Sequence, residues 1–139
     1  MTHILLDNEA VQALRDPFHS KHRVVLAHLA AIVTRRKRGR AANLVVPTSV
    51  RVEAGWSRIE PAAAAINRFR ITDHPLDTAS ANIAATIQSQ NGVSVADAHL
   101  GAAIGDVTTS GADSVVVLTS HPDDIKKVAG RTPITVIRI

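Results

Sequence analysis

Short aliphatic runs separated by helix-length segments constrain this chain more than any other feature. Residues 3–6 (HILL), 44–46 (LVV) and 115–118 (VVVL) are apolar runs too short for helices. Runs of this kind read as strands buried on both faces, as in a parallel sheet covered by helices. Residues 134–138 supply another strand, and 69–72 a short one. The segments between them carry helix signals. One helix is predicted over 8–15, ending at Asp16-Pro17, and a second runs from a Ser20 cap to about Arg38. A third is capped by Thr48 or Ser49 and carries Val52, Glu53 and Trp56. Others start at Pro61, cover 76–90, start near Ala96-Asp97 and start at Pro122. Strand and helix alternate throughout, so the predicted fold class is α/β. The expected architecture is a three-layer α/β/α sandwich on a mostly parallel sheet. No linker or repeat interrupts the alternation, and residues 1–139 read as one domain.

The core of such a sandwich has to be aliphatic, because Phe18, Phe69 and Trp56 are the only aromatic residues. With no cysteine, disulfides, thiolate metal sites and thiol nucleophiles are excluded. That composition suits the cytoplasm, the expected location. Lys and Arg outnumber Asp and Glu by 16 to 12, a weak pointer to a polyanionic partner. The longest strongly apolar stretch, Val24 to Val33, is about half a membrane span, so no membrane association is expected.

In an open parallel sheet, sites form beyond the C-terminal ends of the strands. Acidic residues on four separate elements fall there. Asp7 directly follows the first strand, and Glu53 lies in the helix after the second. Asp97 is in the first turn of its helix, and Asp123-Asp124 lie just past the 115–118 strand. Gathered carboxylates repel, and a divalent cation relieves the repulsion. Oxygen donors suit Mg²⁺ or Mn²⁺, which polarise phosphates and promote ionisation of water. Each acid also has a plainer role. Asp97 and Asp123 suit a helix N-terminus, and Glu53 suits a solvated helix face. Asp7, beside an apolar strand, is the hardest to explain in that way.

These segments together resemble PIN-domain ribonucleases, and in particular toxins of the VapC type. ILLDNEAVQAL resembles the family's opening strand and first acid. PTSVRVEAGWSR resembles its second motif, VSVADAHLGAAI its third and VVVLTSHPDDIKKVAG its fourth. The resemblance spans nearly the whole chain. No single motif is specific, and the weight comes from four in register.

The resemblance implies a Mg²⁺- or Mn²⁺-dependent endoribonuclease that cleaves RNA with metal-activated water. It also implies an antitoxin partner and a homodimer. It assigns Asp7, Glu53 and Asp97 as catalytic and metal-binding residues. The fourth family acid is replaced here by His121, and Asp124 matches a further acid. That departure puts metal occupancy in doubt. It leaves open a second reading, a catalytically weakened module that binds RNA or protein.

Thr119 is expected to hydrogen-bond an acid or a phosphate, or to cap the next helix. Arg51 and Arg58 flank Glu53 and are candidates for holding substrate. Residues 35–40 hold five cations, which suit RNA phosphates or, more simply, a solvated helix end. The other six histidines, His99 and His74 among them, show no ligand spacing. No serine lies in a nucleophile-elbow pattern and no glycine-rich phosphate loop is present.

Overall fold

All the expected strands form, and all five pair in parallel. The computed structural model describes residues 1–139. The strands are β1 (Thr2–Leu6), β2 (Ala42–Pro47), β3 (Ile71–His74), β4 (Ser114–Thr119) and β5 (Thr135–Arg138). The helices are α1 (Asn8–Arg15), α2 (His22–Lys37), α3 (Thr48–Glu53), α4 (Ala64–Asn67), α5 (Thr78–Asn91), α6 (Val95–Thr109) and α7 (Pro122–Ala129). A 3₁₀ turn, Pro61–Ala63, leads into α4.

The sheet order is β3-β2-β1-β4-β5. β1 is therefore central, with β2 on one side and β4 on the other. The strand order reverses at β1, which opens a crevice at its C-terminal end. Alternation along the strands feeds two cores. Ile4, Leu6, Leu44 and Val46 point to one face, where Val11, Leu14, Val25 and Leu29 cover them. Leu5, Val45, Val115 and Val117 point to the other, under Leu100, Ile104 and Ile125. The result is the three-layer α/β/α sandwich. On the second face α6 and α7 lie close together at Gly101, where an added Cβ would sit 2.7 Å from the Val128 carbonyl oxygen. No helix is long and apolar enough to cross a membrane.

Several expected boundaries shift. Ser20 does not cap α2; the helix starts at His22 with Lys21 at its N-cap and no side-chain cap. Side chains instead hold the preceding turn, with Asp16 accepting from the Phe18 N–H and His19 from the Lys21 N–H. Neither Thr48 nor Ser49 caps α3, because Pro47 occupies the N-cap and both serve other partners. Trp56 lies beyond α3, since Gly55 takes a left-handed φ of 68° and ends the helix. Strand β3 begins at Ile71 rather than at 69.

Candidate functional site

The crevice beyond β1 holds the first acid. Asp7 caps α1, accepting from the Ala10 N–H at 2.8 Å, and is only 5 % exposed. Its backbone N–H reaches the Leu118 carbonyl of β4. Thr119, at the end of β4, is fully buried, and its hydroxyl lies near enough to Asp7 to favour the ionised carboxylate. The same hydroxyl oxygen accepts from the His121 N–H at 2.9 Å. Thr119 is therefore spent on the acid and the following turn and has no free surface to offer a phosphate.

Burial pushes the Asp7 carboxyl above its ordinary range. The Thr119 and Ala10 hydrogen bonds oppose this, while the charges of Asp97 and Glu9 add to it. Asp97, in the first turn of α6 behind its Ser94 cap, is half-buried. Its carboxyl is also raised, by burial first and then by Asp124; Ser94 and His121 pull the other way. Asp97 thus acts on Asp7, and Asp124 on Asp97, so the three acids form a sequence of neighbours from separate elements. Glu9 is partly offset by His19 at 3.3 Å and Lys21 at 3.8 Å.

The other expected residues stand further out. Glu53, the last residue of α3, is exposed and does not act on Asp7 or Asp97. It borders a mainly apolar cleft of about 520 Å³ with Ser49, Val52, Leu76, Val95 and Ala96. His121 is exposed at the N-cap of α7 and shares a polar cleft with Ser120, Asp123, Asp124 and Arg138. The Ser120 hydroxyl is buried there without a partner. No group of three or more His, Asp or Glu side chains stands close enough together to hold a metal ion.

Arg51 and Arg58 turn away from the acids. Both pair with Asp73, at 3.3 and 2.8 Å, and both lie against the buried Trp56 ring. Arg58 also donates to the Ile71 carbonyl. Their positive charges tie α3 and the following loop to β3.

A second polar constellation lies behind α3, where none was expected. The Ser49 hydroxyl is 2.7 Å from His99 Nδ1, His99 Nε2 is 3.0 Å from His74 Nδ1, and His74 Nε2 is 2.8 Å from Asp106. The Asp106 carboxylate only accepts, and with both rings neutral this orders the donors along the chain. His74 donates from Nε2, His99 donates from Nε2 to His74 Nδ1, and Ser49 donates to His99 Nδ1. Ser80 adds a further donor to Asp106 at 3.3 Å. His99 is fully buried, and its pKa is lowered to about 4, chiefly by desolvation and then by His74. The chain of bonds joins α3, β3, α5 and α6. Its members sit at positions 49, 74, 80, 99 and 106, spacings that share no motif, so only the fold brings them together.

No protein-family model matches the sequence, and no curated protein matches it.

Proposed function

We propose that this chain is a divalent-cation-dependent endoribonuclease of the PIN type, acting as the toxin half of a toxin–antitoxin pair. One observation carries the reading. Asp7 and Asp97, from different elements, meet at the C-terminal edge of the sheet with both carboxyls pushed upward by burial and by acidic neighbours. Such an arrangement opposes folding unless something else uses the charge.

The donors suit Mg²⁺ or Mn²⁺. Mg²⁺ commonly takes one or two carboxylates and keeps most of its waters, so a pair of acids suffices where a protein cage is absent. Asp7 and Asp97 would hold the ion, with Asp124 nearest to assist. When bound, the cation polarises a phosphate and lowers the pKa of water. The protein's own contribution is positional. Thr119 and the Ala10 N–H fix the Asp7 carboxylate, and the Ser94 cap fixes the first turn of α6 beneath Asp97.

The apolar cleft beside Glu53 supports a protein partner. Val52 is 81 % exposed there and Val95 54 %. An antitoxin segment with an apolar anchor and an Arg could fill this cleft and meet Glu53 at its rim. A homodimer acting in the cytoplasm belongs to the same reading.

A second reading is a catalytically weakened binding module. It is favoured by the exposed, separate position of Glu53 and by His121 in place of an acid. The deciding experiment is cleavage of a mixed RNA pool with Mg²⁺ or Mn²⁺ by the parent, Asp7→Asn and Asp97→Asn proteins. Cleavage by the parent alone supports the nuclease. Equal behaviour of all three removes it and leaves the binding module. Growth arrest on expression of the parent, and its absence with Asp7→Asn, tests the toxin role.

A further inference from the structure

The acids and the strongest cations occupy opposite edges of the sheet. Strands β1 to β4 all start at the edge where α2 ends, and the acids lie beyond their other ends. Arg35, Lys37, Arg38 and Arg40 are exposed at or just past the end of α2. Arg70 is exposed immediately before β3, on the same edge. It is close enough to Arg36 for its charge to be felt there. Two segments about 30 residues apart in sequence thus bring cations to one edge.

This patch is more than a solvated helix end. The dipole of α2 favours cations in its last turn, which accounts for Arg35 to Lys37. It does not account for Arg38, Arg40 and Arg70, which lie outside the helix. None of these exposed cations pairs with a carboxylate, although other Arg, Lys and His side chains of the chain do. Arg36 alone is committed. It donates from Nε to the Ala42 carbonyl at 3.0 Å and from a terminal nitrogen to the Phe69 carbonyl at 2.7 Å. It therefore acts as a strut that fixes the end of α2 against the starts of β2 and β3. The free guanidinium groups surround a rigid base.

We infer that this edge is a binding surface for the phosphate backbone of an RNA strand. Four of the five free cations are arginines, whose planar fork matches phosphate oxygens in pairs. Thr34 and Ala41, beside the cations, are small, and the one apolar cleft that Arg35 borders, with Ile32, Val116 and Ile137, lies to the side of Arg38, Arg40 and Arg70, which do not line it. No aromatic ring is exposed among these residues, so bases are not gripped by stacking and binding is indifferent to sequence. Strands of five or six residues separate the two edges by about 17–20 Å. The phosphates held here are therefore not the one beside Asp7. The surface extends the nuclease reading to a second grip on the same substrate class, yet its binding needs neither the carboxylates nor a cation.

The test is fluorescence anisotropy with a labelled single-stranded RNA of mixed sequence, about 20 nucleotides long, long enough to span several phosphates. The full chain is used, with EDTA present, across a salt series from about 50 to about 200 mM. The combined variant Arg35→Gln, Arg38→Gln, Arg40→Gln, Arg70→Gln is compared with a control, Lys126→Gln, Lys127→Gln, both checked for folding by circular dichroism. The expected result is at least about tenfold weaker binding for the four-site variant. Its plot of log affinity against log salt should be shallower by about 0.7 for each phosphate it no longer holds. The control should bind within about twofold of the parent. Unchanged affinity and slope in the four-site variant overturn the inference. So does an equal loss in the control, which would reflect net charge alone. Polyglutamate competing as well as RNA at equal charge also overturns it, in favour of an acidic protein partner. Cleavage is not read in this assay. RNA binding that persists in Asp7→Asn leaves the edge standing even where the nuclease reading fails.

Discussion

Two buried polar regions lie side by side in this molecule and are built on opposite plans. In the Ser49–His99–His74–Asp106 chain every donor meets an acceptor, and the terminal carboxylate has two donors. At the β1 crevice the Asp7 carboxylate is buried, whereas Asp106 is partly open to solvent, and the neighbours of Asp7 include further acids. A saturated network holds elements together and asks for nothing more. A cluster of like charges with few donors is a standing demand for a cation or a proton. The difference separates what this fold uses for cohesion from the region to which the proposed nuclease reading assigns the chemistry.

The largest expected effect is on cleavage. Asp7→Asn should lower RNA cleavage by at least about a hundredfold, the scale of losing one essential acid–base or charge-positioning group. The same change should raise stability slightly at neutral pH, because Asn can still cap α1 and no longer carries charge. Urea melts and RNA cleavage measured on one preparation check both halves. A variant that is inactive and also unstable would break the contrast.

His99→Ala should do the reverse. It leaves the Ser49 hydroxyl and His74 Nδ1 without partners and opens a cavity, at a cost of about 3 kcal/mol in urea unfolding. Any folded fraction should still cleave. Loss of turnover per folded molecule would mean that the network belongs to the site.

The two regions also pull pH dependence in opposite directions. Unfolded histidine titrates at 6.5, whereas folded His99 waits until about pH 4. Between these values the unfolded chain binds the extra proton. The stability that His99 contributes is complete above about pH 6.5 and is lost as pH falls toward 4, by up to about 3 kcal/mol. Asp7 and Asp97 have raised values, so they take up protons earlier in the folded chain and favour folding as pH falls. Unfolding free energies compared from about neutral pH down to about 4 should therefore decline in the parent, and more steeply in Asp7→Asn, which lacks the opposing contribution. A pH-independent Asp7→Asn, Asp97→Asn double variant, in which the opposing contributions are gone, would remove His99 as a buried neutral base.

Divalent cations should act on one region only. Mn²⁺ or Mg²⁺ at about a hundred times its dissociation constant should stabilise the parent by about 2.7 kcal/mol and leave Asp7→Asn nearly unchanged. The smallest effect concerns His121. Imidazole suits Mn²⁺ better than Mg²⁺, so His121→Asp should shift relative activity toward Mg²⁺ by a few fold. An unchanged ion preference would leave Asp124 as the acid that matters beside Asp97.

The acidic region is far more legible in the sequence than the saturated one. Asp7 follows an unmistakable buried strand, and Asp97 opens a helix behind a serine cap, so local pattern alone places both at one edge. Thr119 is readable for a similar reason, and its choice of Asp7 over a phosphate follows from complete burial. The histidine network is not readable. His99 lies two residues after Asp97 and is expected to face elsewhere, as it does, but nothing local says that His74 and Asp106 await it there. The pairing of Arg51 and Arg58 with Asp73 is not readable either, because their proximity to Glu53 in sequence says nothing of Asp73, which β3 brings alongside. Gly55 does carry the end of α3, and with it the exclusion of Trp56 from that helix.

The place of β1 has a consequence for how the molecule comes into being. Of the five strands this one leaves the ribosome first, yet its partner β4 follows 112 residues later, with Thr2 against Ser114. Asp7 needs Thr119 and the Leu118 carbonyl, so its pocket has no wall until β4 has been made. Pairing across such a distance is slow. A nascent or truncated chain lacking β4 therefore has the first acid but not the enclosure that raises its pKa. The enclosure of Asp7 is complete only once both strands are in place.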